Sequence, residues 1–233
     1  MDEYMSEKEQ VEALRQWWNE NGRYVIAGLV IGVAGVLGWQ RWQVHQDQVA
    51  QAASDSYVAV ELAAAAGDAE SAASLAASLR ESYPRTAYAA QAALMAAKAW
   101  VDAGEHARAA TELAWAMDNT GDVALSRVAR LRLARVQLSM GEVAAADATL
   151  DTDDEGAFAP LFAEVRGDVA YARGDLDAAR AAYQRAMDGM VQGVGDRQSV
   201  EMKLHDATLV TVSGEGMGTA DVSDDQEGVG AEG

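Results

Sequence analysis

The chain has three histidines, His45, His106 and His205, far apart in 233 residues that include no cysteine. None falls in an H-E-x-x-H or comparable ligand spacing, and each reads as a helix-surface residue. Without thiols there is no disulfide framework, thiol catalysis or cysteine-based zinc site. No G-x-S-x-G nucleophile elbow and no P-loop is present. Gly214, Gly216 and Gly218 echo a glycine-rich phosphate loop only weakly, because no predicted strand precedes them. Asp151, Asp153, Asp154 and Glu155 are a dense group of oxygen donors. A calcium loop begun at Asp151 would also need a glutamate to close its twelve residues, and none stands there, so the acids read as a solvated turn. Arg127, Arg130, Arg132 and Arg135 form the basic cluster, either a dock for an acidic partner or, more plainly, partners of the surrounding carboxylates. No catalytic, cofactor-binding or metal-binding residue is therefore assigned. The expectation is a protein that is not an enzyme and needs no cofactor.

If chemistry is absent, the elements must carry the function, and one of them stands out. Between Arg23 and Arg41 no residue is charged, and Tyr24 to Gln40 gives 17 uncharged positions. With its flanking aromatics, this stretch just reaches the roughly 17 to 25 residues that a helix needs to cross a bilayer. Trp17, Trp18 and Tyr24 precede the apolar run, and Trp39 and Trp42 close it, as expected of rings settling at both headgroup levels. A cleavable signal would have a short basic start and a small-residue site. Here 23 mixed-charge residues come first and Trp39-Gln40-Arg41-Trp42 follows. Residues 22–42 are thus read as a transmembrane helix. Lys8, Arg15 and Arg23 lie before it and only Arg41 lies after it until Arg80, which keeps the N-terminus in the cytoplasm. Gly28, Gly32 and Gly35 fall at i, i+4 and i+7, a spacing that lets a second helix approach closely in lipid. This face is a candidate partner-binding site.

The remainder is rich in alanine, has two prolines in the whole chain and few β-branched residues, which points to an all-α fold of closely packed helices. Four glycine–acid pairs recur: Gly67-Asp68, Gly104-Glu105, Gly141-Glu142 and Gly174-Asp175, spaced by 37, 37 and 33 residues. Five positions after each glycine stand Ala72, Ala109, Ala146 and Ala179. Four further on come Ala76, Leu113, Leu150 and Tyr183, then Leu79, Ala116, Asp153 and Ala186. Seven before each glycine come Val60, Ala97, Ala134 and Gly167. This resembles the tetratricopeptide (TPR) pattern, with Pro84 at the closing proline of the first unit. A turn glycine can enter the left-handed region that ends a helix, and the acid behind it faces the positive end of the next helix. The expectation for residues 43–213 is a TPR-like α-solenoid of about four helix pairs. Trp100 and Trp115 flank the turn at Gly104, either as a partner-binding surface or, more plainly, as packing between helices.

The ends differ. Residues 1–21 include an amphipathic stretch with Val11, Leu14, Trp17 and Trp18 on one arc, expected to rest on the cytoplasmic face of the membrane. Asn21-Gly22 offers a break before the span. Residues 214–233 hold six glycines, six acids and no base, the composition of a disordered tail. The net charge of −19 divides as −2 before residue 43, −11 over 43–213 and −6 in the last twenty residues. Such an acidic chain is a poor nucleic-acid binder.

"EQVEALRQWWNENGR", "GLVIGVAGVLGWQRW", "LRLARVQLSMGE" and "FAEVRGDVAYARGD" together resemble the YfgM-type ancillary subunit of the SecYEG translocon, over about residues 1 to 212. That resemblance implies a single-pass bacterial inner-membrane protein with a short cytoplasmic segment and a periplasmic TPR-like domain. It further implies association with SecYEG and with a PpiD-like periplasmic chaperone, help for exported or inserted chains leaving the channel, and a link to the Rcs stress response. The alternative with the same topology is a membrane-anchored TPR scaffold for cytochrome maturation or cell-wall assembly.

Overall fold

A computed structural model describes residues 7–152, 154–190 and 195–216. The described residues form helices throughout, with one 3-10 turn at Gly156–Phe158: α1 (Glu7–Ala65), α2 (Ala69–Ser82), α3 (Ala87–Asp102), α4 (His106–Asn119), α5 (Val123–Ser139), α6 (Val143–Leu150), α7 (Ala159–Ala172), α8 (Leu176–Gly189) and α9 (Arg197–Gly216). The chain divides into two compact units, Met1–Ala52 and Ala53–Gly233.

The described residues of the first unit lie within α1. The break expected at Asn21-Gly22 does not occur, since the helix runs through both residues. Asn21 donates its side-chain amide to the Trp17 carbonyl at 3.1 Å, one turn back, and the Trp18 indole lies over Gly22. A glycine costs a helix about 1 kcal/mol, too little to interrupt a long run that has no proline. Along the apolar stretch eight aliphatic side chains, Val25, Ile26, Leu29, Val30, Ile31, Val33, Val36 and Leu37, are 41–71% exposed. Each would gain about 1.5–3 kcal/mol on transfer out of water. A soluble core helix would hide these residues. Among the described residues this is the one helix long and apolar enough to cross a membrane.

The second unit is built by repetition. Gly67, Gly104, Gly141 and Gly174 have φ of 76°, 80°, 77° and 78°. In each turn the glycine amide bonds to the carbonyl three residues back, and the following acid's amide to the carbonyl five residues back, as in Glu105 N to Trp100 O at 2.8 Å. This is the Schellman closure, which satisfies carbonyls left open at a helix end. The next helix then begins with the acid as N-cap. Asp68 and Asp175 accept from Ser71 N at 2.9 Å and Ala178 N at 3.0 Å, whereas Glu105 and Glu142 make no side-chain cap bond. The Ser71 hydroxyl, which donates to Asp68 at 2.7 Å, and then the Ser71 amide hold the Asp68 carboxyl below its usual pKa.

The repeated small positions are where the helices cross. Ala72, Ala109, Ala146 and Ala179 are all fully buried, as are Val60, Ala76, Ala134 and Ala186, and Leu79, Leu113, Leu150 and Tyr183 are no more than 2% exposed. Helix pairs α3/α4, α5/α6 and α7/α8 follow, with α9 packed against the last, and Val60 near the end of α1 shares a core cluster with Ala72, Ala76 and Leu79 of α2. The apolar core runs through three linked clusters, the first from α1 to α5, the second from α5 to α7, the third from α7 to α9. In the fourth unit Gly167 replaces the small residue because Tyr183 fills its space; a Cβ there would lie 2.4 Å from the ring.

The third unit departs from the pattern. Helix α6 stops at Leu150 after eight residues, and Asp151 caps it in extended conformation. Asp153, assigned to the repeat register by spacing, lies outside the described residues, as do residues 217–233. Helix α9 extends to Gly216, so Gly214 and Gly216 lie in a helix and not in a phosphate loop.

Candidate docking surfaces

In the anchor, Gly28, Gly32 and Gly35 each have open space where a Cβ would stand. Gly28 and Gly32 form a shallow apolar groove with Leu29, Val33, Val36 and Leu37. Its walls are aliphatic and its floor is backbone, the shape that accepts another helix in lipid. The aromatic rings pair at both ends: Trp17 with Trp18 at 6.5 Å and Trp39 with Trp42 at 5.0 Å between centroids.

In the repeat unit the two tryptophans serve packing. Trp100 is buried in the first core cluster with the Arg108 guanidinium 4.4 Å above its ring, and half-buried Trp115 is covered by Arg80 at 4.7 Å. Arg80 also bonds Glu112 at 2.7 Å. Burial raises the Glu112 carboxyl pKa although Arg80 opposes the rise. The short ion pair and the raised pKa point in opposite directions; removal from water outweighs one cation here.

The basic cluster resolves residue by residue. Arg127 binds the Asp154 carboxylate and, at 2.9 Å, its carbonyl. Arg130 donates to the Thr149 carbonyl at 2.8 Å, and Arg135 pairs with Glu164 at 3.3 Å. Arg166 pairs with Glu155 and donates to Leu150 O at 2.9 Å. Asp154 and Glu155 of the 151–155 turn are thus fastened by arginines, and among the described residues no group of three potential metal ligands converges. His45 and His205 are exposed and His106 is half-buried. Arg132 is exposed and makes no ion pair among the described residues.

Arg132 stands instead on the rim of a groove. Leu94, Ala97 and Val101 of α3, Leu113 of α4 and Val136 of α5 form its apolar floor, with Lys98, Arg132 and Arg135 around it and a volume of about 320 Å³. A second hollow of about 260 Å³, lined by Tyr57, Gln91, Leu94, Met95, Lys98 and Arg132, continues it.

Residues 15–208 match the tetratricopeptide repeat-like domain family. The ancillary SecYEG translocon subunit of Escherichia coli K12 is 32% identical over 209 residues, which are 90% of this chain and 100% of that protein. The chain belongs to that family. The family members of the same name from Haemophilus influenzae and Neisseria gonorrhoeae are 29% and 33% identical, over 86% and 88% of this chain and 97% and 98% of theirs. In fold the chain is similar to the crystal structure of BtubC (BKLC) from P. vanneervenii, with a TM-score of 0.50 and 16% identity over 83% of this chain and 92% of that one. That likeness concerns the helical architecture alone.

A polar lock in this family member escaped the repeat pattern. Lys203 of α9 donates to Glu164 at 2.7 Å and Asp168 at 2.8 Å of α7, and the Tyr183 hydroxyl of α8 donates to Asp168 at 3.0 Å. Burial works against the Lys203 ammonium, yet the two carboxylates raise its pKa. Burial, then Asp168, pushes the Tyr183 hydroxyl up. The one visible signal was Tyr183 at a position that holds Ala or Leu in the other units; Lys203 is 35 and 39 residues from its partners, beyond any local pattern.

Proposed function

We propose that this chain is an ancillary, non-catalytic subunit of the SecYEG translocon in the bacterial inner membrane. It crosses the bilayer once through residues 22–42, with residues 1–21 in the cytoplasm and 43–213 in the periplasm as the TPR-like domain. The near end-to-end match to relatives named as ancillary SecYEG translocon subunits carries this reading. The exposed apolar helix agrees with it.

In this role the face of Gly28, Gly32 and Gly35 docks on a membrane helix of the translocon. The repeat domain binds a PpiD-like chaperone and helps exported chains leave the channel. Tethering beside the channel makes that second encounter nearly intramolecular, so modest contacts suffice. The test is site-specific photocrosslinking in native membranes from position 28 in the anchor and position 98 on the repeat surface. The expected products are a translocon subunit from the first and a periplasmic chaperone from the second. Adducts with cytochrome-maturation or cell-wall proteins instead would reject the assignment.

A further inference from the structure

The C-terminal end of the apolar run carries a hollow of about 520 Å³ lined by Gly38, Arg41, Trp42, Val44, His45 and Gln48. Gly38, Arg41, His45 and Gln48 fall at i, i+3, i+7 and i+10, within about 80° of the helix circumference, and Trp42 and Val44 flank that stripe on either side. Gly38 has open space where a Cβ would stand. The two bases that bracket the span differ in what they touch. At its start the Arg23 guanidinium donates to the Tyr24 hydroxyl at 2.8 Å and lies 4.7 Å above that ring. At its end Arg41 and His45 are both exposed and enter no ion pair among the described residues. The acid nearest to Arg41 in sequence, Asp47, stands about 120° round the helix from it.

Position along the helix decides what meets this hollow. Tyr24 to Gln40 covers about 25 Å at 1.5 Å per residue, so Arg41 stands at the edge of a hydrocarbon layer about 30 Å thick. His45 and Gln48 follow about 6 and 10 Å further along, through the headgroup layer. The Trp39 and Trp42 rings, 5.0 Å apart, settle at the same level. The anion found at that depth in either leaflet is the phosphate diester of a glycerophospholipid, whose oxygens accept well from a guanidinium. Imidazole and amide N–H groups complete the donor set. The stripe is turned about 120° from the face of Gly28, Gly32 and Gly35, so a helix docked on that face leaves the hollow open.

We propose that this hollow seats one anionic phospholipid, its phosphate held by Arg41, His45 and Gln48 and its glycerol over Gly38. An acyl chain follows the same stripe back over Ala34 and Val30, both exposed. An anionic headgroup is favoured because choline or ethanolamine would bring a cation of its own, which Arg41 repels. Seated there, the lipid fixes the depth and rotation of the helix, and so the direction in which the glycine face looks. The inference rests on residues 22–42 crossing a bilayer. It is independent of the direction of crossing, because both leaflets hold phosphates, and of the protein that the repeat domain serves.

The test places the full chain in nanodiscs of equal parts phosphatidylcholine and phosphatidylglycerol and identifies, by native mass spectrometry, the lipid that stays bound on release. Retention of phosphatidylglycerol in excess over phosphatidylcholine is expected. Arg41→Gln should lower that excess about fivefold, the contribution of one cation at an anionic surface. Gly38→Leu keeps every charge but fills the seat, and should lower it as well. Arg23→Gln removes the same charge at the other end and should leave the excess unchanged. Equal retention of the two lipids, equal effects of Arg41→Gln and Arg23→Gln, indifference to Gly38→Leu, or displacement by inorganic phosphate at constant ionic strength would overturn the proposal while leaving the span intact. A chain that never enters the nanodiscs would refute the span and the seat together.

Discussion

Two residues show how tightly the last helix pair is packed. Gly167→Ala places a methyl group where the Tyr183 ring already stands, 2.4 Å from it. Overpacking of this kind costs about 1–3 kcal/mol, so thermal denaturation should show a lower Tm for the variant. Tyr183→Leu, the residue type of the second and third units, should restore part of the loss in the double variant. Lys203 and Tyr183 add a pH signature. Both are held above their ordinary values of 10.5 and 10.0. A group whose pKa is raised by folding stabilises below its unfolded pKa and loses that contribution as pH rises through the folded value. The stability of the repeat unit should therefore hold to about pH 10 and fall above it. Lys203→Met should flatten this decline in melts recorded across that range, and an unchanged slope would show that the ammonium is not linked to folding.

The elements explain why much of this fold was legible and some was not. The four turns were readable because a left-handed residue needs glycine, and the crossings because only small residues let helices approach; both demands fall on a single position. Capping was legible only halfway. The aspartates reach back to an amide, whereas Glu105 and Glu142, one methylene longer, do not. The break expected at Gly22 failed because one glycine is outweighed by the helical turns on either side. The polar lock and the groove were hidden because each joins helices distant in sequence, and no single-element pattern encodes a juxtaposition. In the anchor, Gly28 and Gly32 line an open groove, so Gly28→Leu with Gly32→Leu would fill it without touching the repeat unit. Co-purification with the translocon should drop while the unfolding free energy of the repeat domain stays within about 0.5 kcal/mol of wild type. Undiminished co-purification would move the contact to another face.

At the scale of the whole molecule, the decisive question is which side of the bilayer the repeat unit occupies. The acids of that unit say little, because Asp and Glu contribute weakly to orientation and large domains translocate largely regardless of charge. What weighs is the count near the span: Lys8, Arg15 and Arg23 before it against Arg41 after it. The proposed orientation, with the basic end on the cytoplasmic side, places everything beyond Trp42 outward, where a chain without cysteine has no need for disulfide formation. A periplasm-dependent reporter fused after Trp42 should be active, and one fused before Arg15 silent. Arg15→Glu combined with Arg23→Glu, which reverses the local bias, should shift part of the population to the opposite orientation. High salt should leave the intact chain in the membrane, because the eight exposed aliphatic side chains of the span are held by the hydrophobic effect, which salt does not screen. Release by salt would mean that α1 lies on the surface as a peripheral helix, and the groove at Gly28 and Gly32 would then have no lipid-embedded partner to receive.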